Sequence, residues 1–166
     1  MLNKLTWFAL YTKPRYEQKV ADELLQTGIN SYLPTQKTLK QWSDRKKWIV
    51  EPLFKSYCFV QILPYKYLEP LKANGAIRYI WHDGKPGIVR DNEIEVIKLL
   101  CDSNLQLEVV PLTFEKGQKV QITNGSLAGL TGEYIQNAGQ QKILIRIISI
   151  SHGVLVTIPP AYVVAC

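Results

Sequence analysis

Residues 51–60 read EPLFKSYCFV, and the way this stretch is covered decides the fold. A half-buried strand alternates apolar and polar residues, one face toward the core and one toward water. Here Tyr57 and Phe59 fall on one face and Cys58 and Val60 on the other, so neither face is written for solvent. The Cys58/Val60 side is assigned to the protein's own core. The Tyr57/Phe59 side is covered either by that core or by something that arrives later.

The neighbouring segments build outward from this strand. Residues 5–11, LTWFALY, are aromatic and apolar and suit a second central strand. Pro14 fits the first turn of a helix, Tyr16, Val20, Ala21, Leu24 and Leu25 recur at helical spacing, and Gly28 closes it. Residues 31–50 predict two strands joined by a polar turn near Ser43-Asp44. Residues 65–73 predict a short helix ending at Asn74-Gly75, and residues 78–81 a strand followed by the turn HDGKPG. Asp91 or Asn92 is expected to cap a further helix that buries Ile94, Ile97 and Leu100.

After Cys101 the texture changes. Residues 104–113 lack a helical period, contain Pro111 and predict a linker. Beyond them KVQIT, GEYIQ, KILIRIISI and VLVTI are rich in β-branched residues and separated by NGSLAG, NAGQQ and SHG. Recurrent glycines and Pro159-Pro160 exclude a helical reading, since proline inside a helix costs ~3 kcal/mol or more. About five short strands in this space predict a small barrel. The chain is therefore expected to be α+β: a sandwich with an antiparallel sheet over residues 1–103, a linker over 104–113, and an all-β barrel over 114–166.

Composition narrows the function. The 166 residues carry 20 Lys/Arg against 14 Asp/Glu, a formal net charge of +6. Residues 1–100 hold 16 basic and 10 acidic side chains, and residues 101–166 hold 4 of each, so the excess lies wholly in the first part. Such asymmetry points to a polyanion met by one half only. Lys37, Lys40, Arg45, Lys46 and Lys47 form the most basic segment, with Trp42 and Trp48 flanking its Arg-Lys-Lys cluster. Aromatic rings among cations are how single strands are held without strict sequence preference; a solvated hairpin tip is the plain alternative. Cys58, Cys101 and Cys166 are dispersed, with no CxxC or Cys/His spacing, so neither a disulfide framework nor a metal site is expected. His82 and His152 are isolated, and no phosphate-binding glycine loop occurs, so neither catalysis nor a cofactor is expected. The first residues lack a cleavage site, and no apolar run reaches the ~18 residues of a membrane span, so a cytoplasmic monomer is expected.

Three stretches together resemble one family. WFALYTKPRYEQKV and EPLFKSYCFV are similar to the N-terminal domain of the NusG transcription elongation factors, and FEKGQKVQITNGSLAGLTGEY to the KOW motif of their C-terminal SH3-like barrel. The EPLF wording resembles the specialised RfaH- and UpxY-type antiterminators of capsular polysaccharide operons. The resemblance implies a non-enzymatic factor that binds the clamp region of RNA polymerase, contacts upstream and non-template DNA, and suppresses pausing or termination. Its KOW domain would recruit Rho or a ribosomal protein. It further implies that Tyr11, Phe54, Tyr57 and Phe59 line the polymerase-binding pocket, and that Lys13, Arg15 and Lys19 face DNA; Arg45, Lys46 and Lys47 are added to that set. Gly125, Gly129 and Gly132 are read as turn residues of the KOW motif. Lys55-Ser56 replaces a Pro-Gly or Pro-Asn common in the family, and Gly125-Ser126 replaces its Gly-Pro. The neutral barrel makes a protein partner the better expectation there, through strand residues such as Ile147 to Ile150. A general RNA-binding or ribosome-associated KOW protein is the alternative, and it would require a basic barrel.

Overall fold

The computed structural model describes residues 3–112, 117–137 and 139–166. The chain opens with β1 (Thr6–Thr12), α1 (Glu17–Gln26) and β2 (Asn30–Tyr32), followed by β3 (Thr35–Gln41), β4 (Lys46–Pro52) and β5 (Tyr57–Ile62). Next come β6 (Ala76–Tyr79), β7 (Trp81–His82), β8 (Lys85–Pro86), β9 (Ile88–Val89) and α2 (Asp91–Asp102). The regular elements described in the C-terminal part are six strands and two 3-10 turns, the strands being β10 (Leu107–Pro111), β11 (Gln118–Ile122), β12 (Thr131–Asn137), β13 (Gln140–Ile147), β14 (His152–Val156) and β15 (Val163–Ala165). The fold is mixed α and β with antiparallel sheets, as the sequence predicts.

The first sheet runs β2-β5-β1-β6, with β9 also paired to β1. β1 and β5 are its two central strands, and their register sets Tyr11 opposite Tyr57 and Ala9 opposite Phe59. One face carries Phe8, Leu10, Val60 and Ile62, which pack on Val20 and Leu24 of α1. The other carries Trp7, Ala9 and Phe59, which pack with Ile94, Ile97 and Leu100 of α2. Among the described residues, β3 and β4 pair only with each other and form a separate ribbon.

The C-terminal strands form a six-stranded antiparallel sheet in the order β10-β14-β13-β12-β11-β15. Ile143, Ile145 and Ile147 of β13, with Val154 and Val156 of β14, join the same core as Phe59 and α2. A single apolar core therefore runs through both halves of the chain. No helix among the described residues is long and apolar enough to cross a membrane.

Several local expectations are corrected. α1 begins at Glu17, not at Pro14, because Arg15 adopts a left-handed φ of 67° that no right-handed helix accommodates. The preceding loop is instead tied to residue 75: the Lys13 N–H donates to the Gly75 carbonyl at 2.8 Å. Leu25, placed on the buried stripe by its spacing, is exposed. Residues 65–73 form two 3-10 turns, Pro64–Lys66 and Pro70–Lys72, because Pro70 has no N–H to continue a helix. The strand expected at residues 78–81 divides into β6 and β7. Arg90, not Asp91 or Asn92, is the N-cap of α2, and the Glu93 carboxylate accepts its backbone N–H at 3.1 Å. The stretch read as a linker contains β10, whose residues pair with all of β14. Of the partner surface expected at residues 147–150, Ile147 and Ile150 are buried in the shared core, whereas Ile148 is exposed.

Candidate functional site

The aromatic residues of β1 and β5 come together as their alternation requires. The Tyr11 and Tyr57 rings meet edge to face with centroids 6.0 Å apart. Phe59 touches Phe54 at 6.2 Å and stacks on Tyr32 at 6.5 Å. Tyr11 and Tyr57 are half-buried, whereas Phe54 is 2% and Phe59 0% exposed. Burial, reinforced by the neighbouring Tyr11 and opposed by Arg78, holds the Tyr57 phenol above its ordinary range.

The turn that aims Phe54 is built from residues that depart from the family pattern. Ser56 adopts a φ of 64°, the left-handed region that Gly or Asn enters readily. Its N–H donates to the buried Glu17 carboxylate at 2.8 Å, and its carbonyl accepts the Thr12 N–H at 2.8 Å. These bonds tie the turn to α1 and β1 and fix Phe54 in the core without a Pro-Gly pair. On the α1 side of the same strand, burial and the nearby Glu17 push the Cys58 thiol up to about 12, so it is a packing residue and not a nucleophile.

The C-terminal sheet covers the aromatic face. His152 of β14 reaches both rings, 5.4 Å from Tyr57 and 6.1 Å from Phe54. Beside it the 3-10 turn Ile148–Ile150 meets the start of α2: the Ser149 N–H donates to Glu93 at 3.1 Å, and the Ser149 hydroxyl donates to the same carboxylate. Glu93 is buried and thus serves both the N-terminus of α2 and the junction between the halves. In the sequence His152 reads as isolated and Glu93 as a helix-dipole carboxylate. The junction contacts of both residues have no local signal, because the partners lie far along the chain. Arg78, 5.3 Å from the Tyr11 ring, has no sequence signal either; only its place on β6, next to β1, marks it.

The basic residues lie elsewhere. Lys13 and Lys19 converge on the Tyr16 ring, at 5.8 Å and 5.2 Å, with Arg15 exposed between them in the loop. Arg45, Lys46 and Lys47 stand exposed at the tip of the β3–β4 ribbon. In the C-terminal sheet, Gly125 and Gly129 occupy the turn between β11 and β12 with φ of 86° and 92°. Gly132 is not at a turn but inside β12, where a Cβ would fall 2.6 Å from Ile143 Cγ2 and 2.9 Å from the Leu144 carbonyl. Its requirement is close strand approach.

Together these features define a chain whose chemistry is aromatic packing and exposed positive charge. A sequence model of the family described as "Transcription termination factor nusG" matches residues 5–98, more than half of the chain. The chain belongs to the NusG family, a family of non-enzymatic transcription factors. Among solved structures it is similar to Thermotoga maritima NusG, in a structure that describes domain interaction, with 20% identity over 98% of each chain and a TM-score of 0.59. It also matches the MjSpt4:Spt5 complex in conformation A, at 17% identity over 96% of this chain and 97% of that one, with a TM-score of 0.32.

Proposed function

We propose that this protein is a transcription elongation and antitermination factor of the specialised RfaH- or UpxY-like kind, serving a polysaccharide-type operon. It binds the clamp region of RNA polymerase through Tyr11, Phe54, Tyr57 and Phe59 and suppresses pausing or termination. Lys13, Arg15, Lys19, Arg45, Lys46 and Lys47 contact upstream or non-template DNA, chiefly its phosphates. The C-terminal strands act as a KOW barrel that recruits Rho or a ribosomal protein. The observation that carries this reading is the aromatic cluster on the first sheet, packed against His152 of the C-terminal half instead of an unbroken private core. An apolar surface of this kind suits a helix laid into a groove, with the tyrosine hydroxyls at its wet edge. With the C-terminal half packed over this face, that half must leave before a partner helix can dock, so domain interaction gates polymerase binding.

The test is transcription of a pause-containing template by the cognate polymerase. Wild type is expected to shorten pauses, and Tyr57→Ala to weaken polymerase binding about tenfold, the loss typical of an aromatic side chain at an interface centre. Tyr57 is chosen over Phe59 because it is only half-buried, so its removal spares the core. Wild type without effect on pausing or termination sinks the function; a folded Tyr57→Ala that acts as wild type sinks the site.

A further inference from the structure

Part of the aromatic face is a row of side chains that runs straight across three strands. Arg78 of β6 lies opposite Tyr11 of β1, and Tyr11 lies opposite Tyr57 of β5, so the three share one face of the sheet. The Arg78 guanidinium stands 5.3 Å from the centre of the Tyr11 ring, and that ring meets Tyr57 edge to face. The C-terminal half covers this row at one end. His152 reaches Tyr57 and Phe54, whereas at the other end Tyr11 is half-buried and Arg78 is exposed.

Both flanks of the row are positive. Arg78 stands at one end, and the exposed Lys55 lines the cleft that Tyr57 and His152 share at the other. Among the described residues, no carboxylate lies within ion-pair distance of Arg78 or Lys55. Acids close to the row are engaged already. Glu17 is buried and accepts the Ser56 N–H at 2.8 Å. Glu51, in the same cleft as Lys55, has Lys40 at 3.6 Å and accepts the Thr38 hydroxyl at 2.9 Å. A guanidinium held over a ring keeps its N–H donors, and their planar fork matches a carboxylate.

We infer that Arg78 is the acid-recognising end of the docking face, and that it takes a carboxylate on the flank of the partner helix as the first contact, before the C-terminal half leaves. The inference rests on the reading of Tyr11 and Tyr57 as polymerase-binding residues. It names the chemistry of the helix they receive: an apolar stripe flanked by Asp or Glu. Two strand spacings separate Arg78 from Tyr57, roughly 10 Å, which is about the width of an α-helix with its side chains. A helix with its stripe on Tyr57 therefore brings a flanking carboxylate to Arg78. Full docking on Tyr57 and Phe54 follows once His152 has moved away, so contact proceeds along the row from its charged end to its covered end. In such an arrangement the charged rim sets the association rate, and the buried aromatic contact sets the dissociation rate.

The experiment measures association and dissociation rates of the full chain on immobilised cognate RNA polymerase over a salt series. Arg78→Glu is expected to slow association about tenfold at low salt and to leave dissociation near the wild-type rate. The difference should shrink as salt is raised, because the contact is electrostatic and exposed. Arg78→Lys keeps the charge and should associate as wild type does. Tyr57→Ala should do the reverse of Arg78→Glu, with faster dissociation and little change in association. Arg78 is exposed, so its variants should unfold in urea at the wild-type midpoint. Association of Arg78→Glu at the wild-type rate, or a slowing that salt does not relieve, overturns the inference. If Tyr57→Ala still weakens binding in that case, the aromatic site survives. If Tyr57→Ala also binds as wild type, or wild type does not bind the polymerase, the site and the inference fall together.

Discussion

At the scale of single residues, the turn at Lys55-Ser56 shows how a departure from a family pattern is accommodated. A non-glycine residue in the left-handed region costs on the order of 1 kcal/mol. Ser56 occupies that region and donates its N–H to a buried carboxylate, a charge-assisted bond worth about 1.5–3 kcal/mol. The second term outweighs the first, so the turn holds. Glu17→Ala removes the acceptor and leaves the Ser56 N–H buried without one. It is expected to lower stability by ~1–3 kcal/mol in urea unfolding. Glu17→Gln, which keeps an acceptor oxygen, should lose less. An unaltered midpoint for Glu17→Ala would mean that the turn is held by other bonds. None of this is legible in the sequence, where Glu17 is one more polar residue on a helix and Ser56 lies far downstream.

At the scale of elements, legibility follows from how local the cause is. The alternation of β1 and β5, the stripe of α1 apart from Leu25, and most of the β-branched C-terminal strands are local patterns, and these form. The helix expected at residues 65–73 does not form, because Pro70 outranks apolar spacing. β10 is invisible to local reading because its only claim to be a strand is the open edge of β14, which lies more than 40 residues away. Gly132 belongs to the same class: among glycines of a turn-rich motif it reads as one more turn, yet it sits where β12 crosses close to β13. Gly132→Ala must push a methyl against Ile143 Cγ2 and the Leu144 carbonyl, and backbone cannot move aside cheaply. Overpacking of this sort costs typically ~1–3 kcal/mol. Gly129→Ala, with open space around its Cβ, should meet only the left-handed penalty of about 1 kcal/mol. Parallel denaturation curves of the two variants check the order; a Gly129 variant as unstable as the Gly132 one would refute the close-approach account.

At the scale of the whole molecule, the two halves share one apolar core, and Glu93 is the polar residue that fixes how they meet. Its carboxylate takes the Arg90 N–H at the start of α2 and both donors of Ser149. In the closed form the Ser149 donors depend on this carboxylate, whereas in an open form water supplies an acceptor. Removing the carboxylate therefore penalises the closed form selectively. With about 1–3 kcal/mol for buried donors left unmet, Glu93→Ala should lower the closed-to-open ratio roughly 5- to 150-fold. Small-angle scattering should then report a larger radius of gyration, and hydrogen exchange should quicken at the backbone of β5. Polymerase affinity should rise in step with the open population if the aromatic face is the binding site. Glu93 also caps α2, so Ser149→Ala is the needed companion: it leaves the cap intact, touches only the C-terminal side, and should shift the same measurements in the same direction by a smaller amount. If both variants keep the wild-type radius and exchange, Glu93 is a helix cap and no more, and the closure of the molecule rests on its apolar core alone.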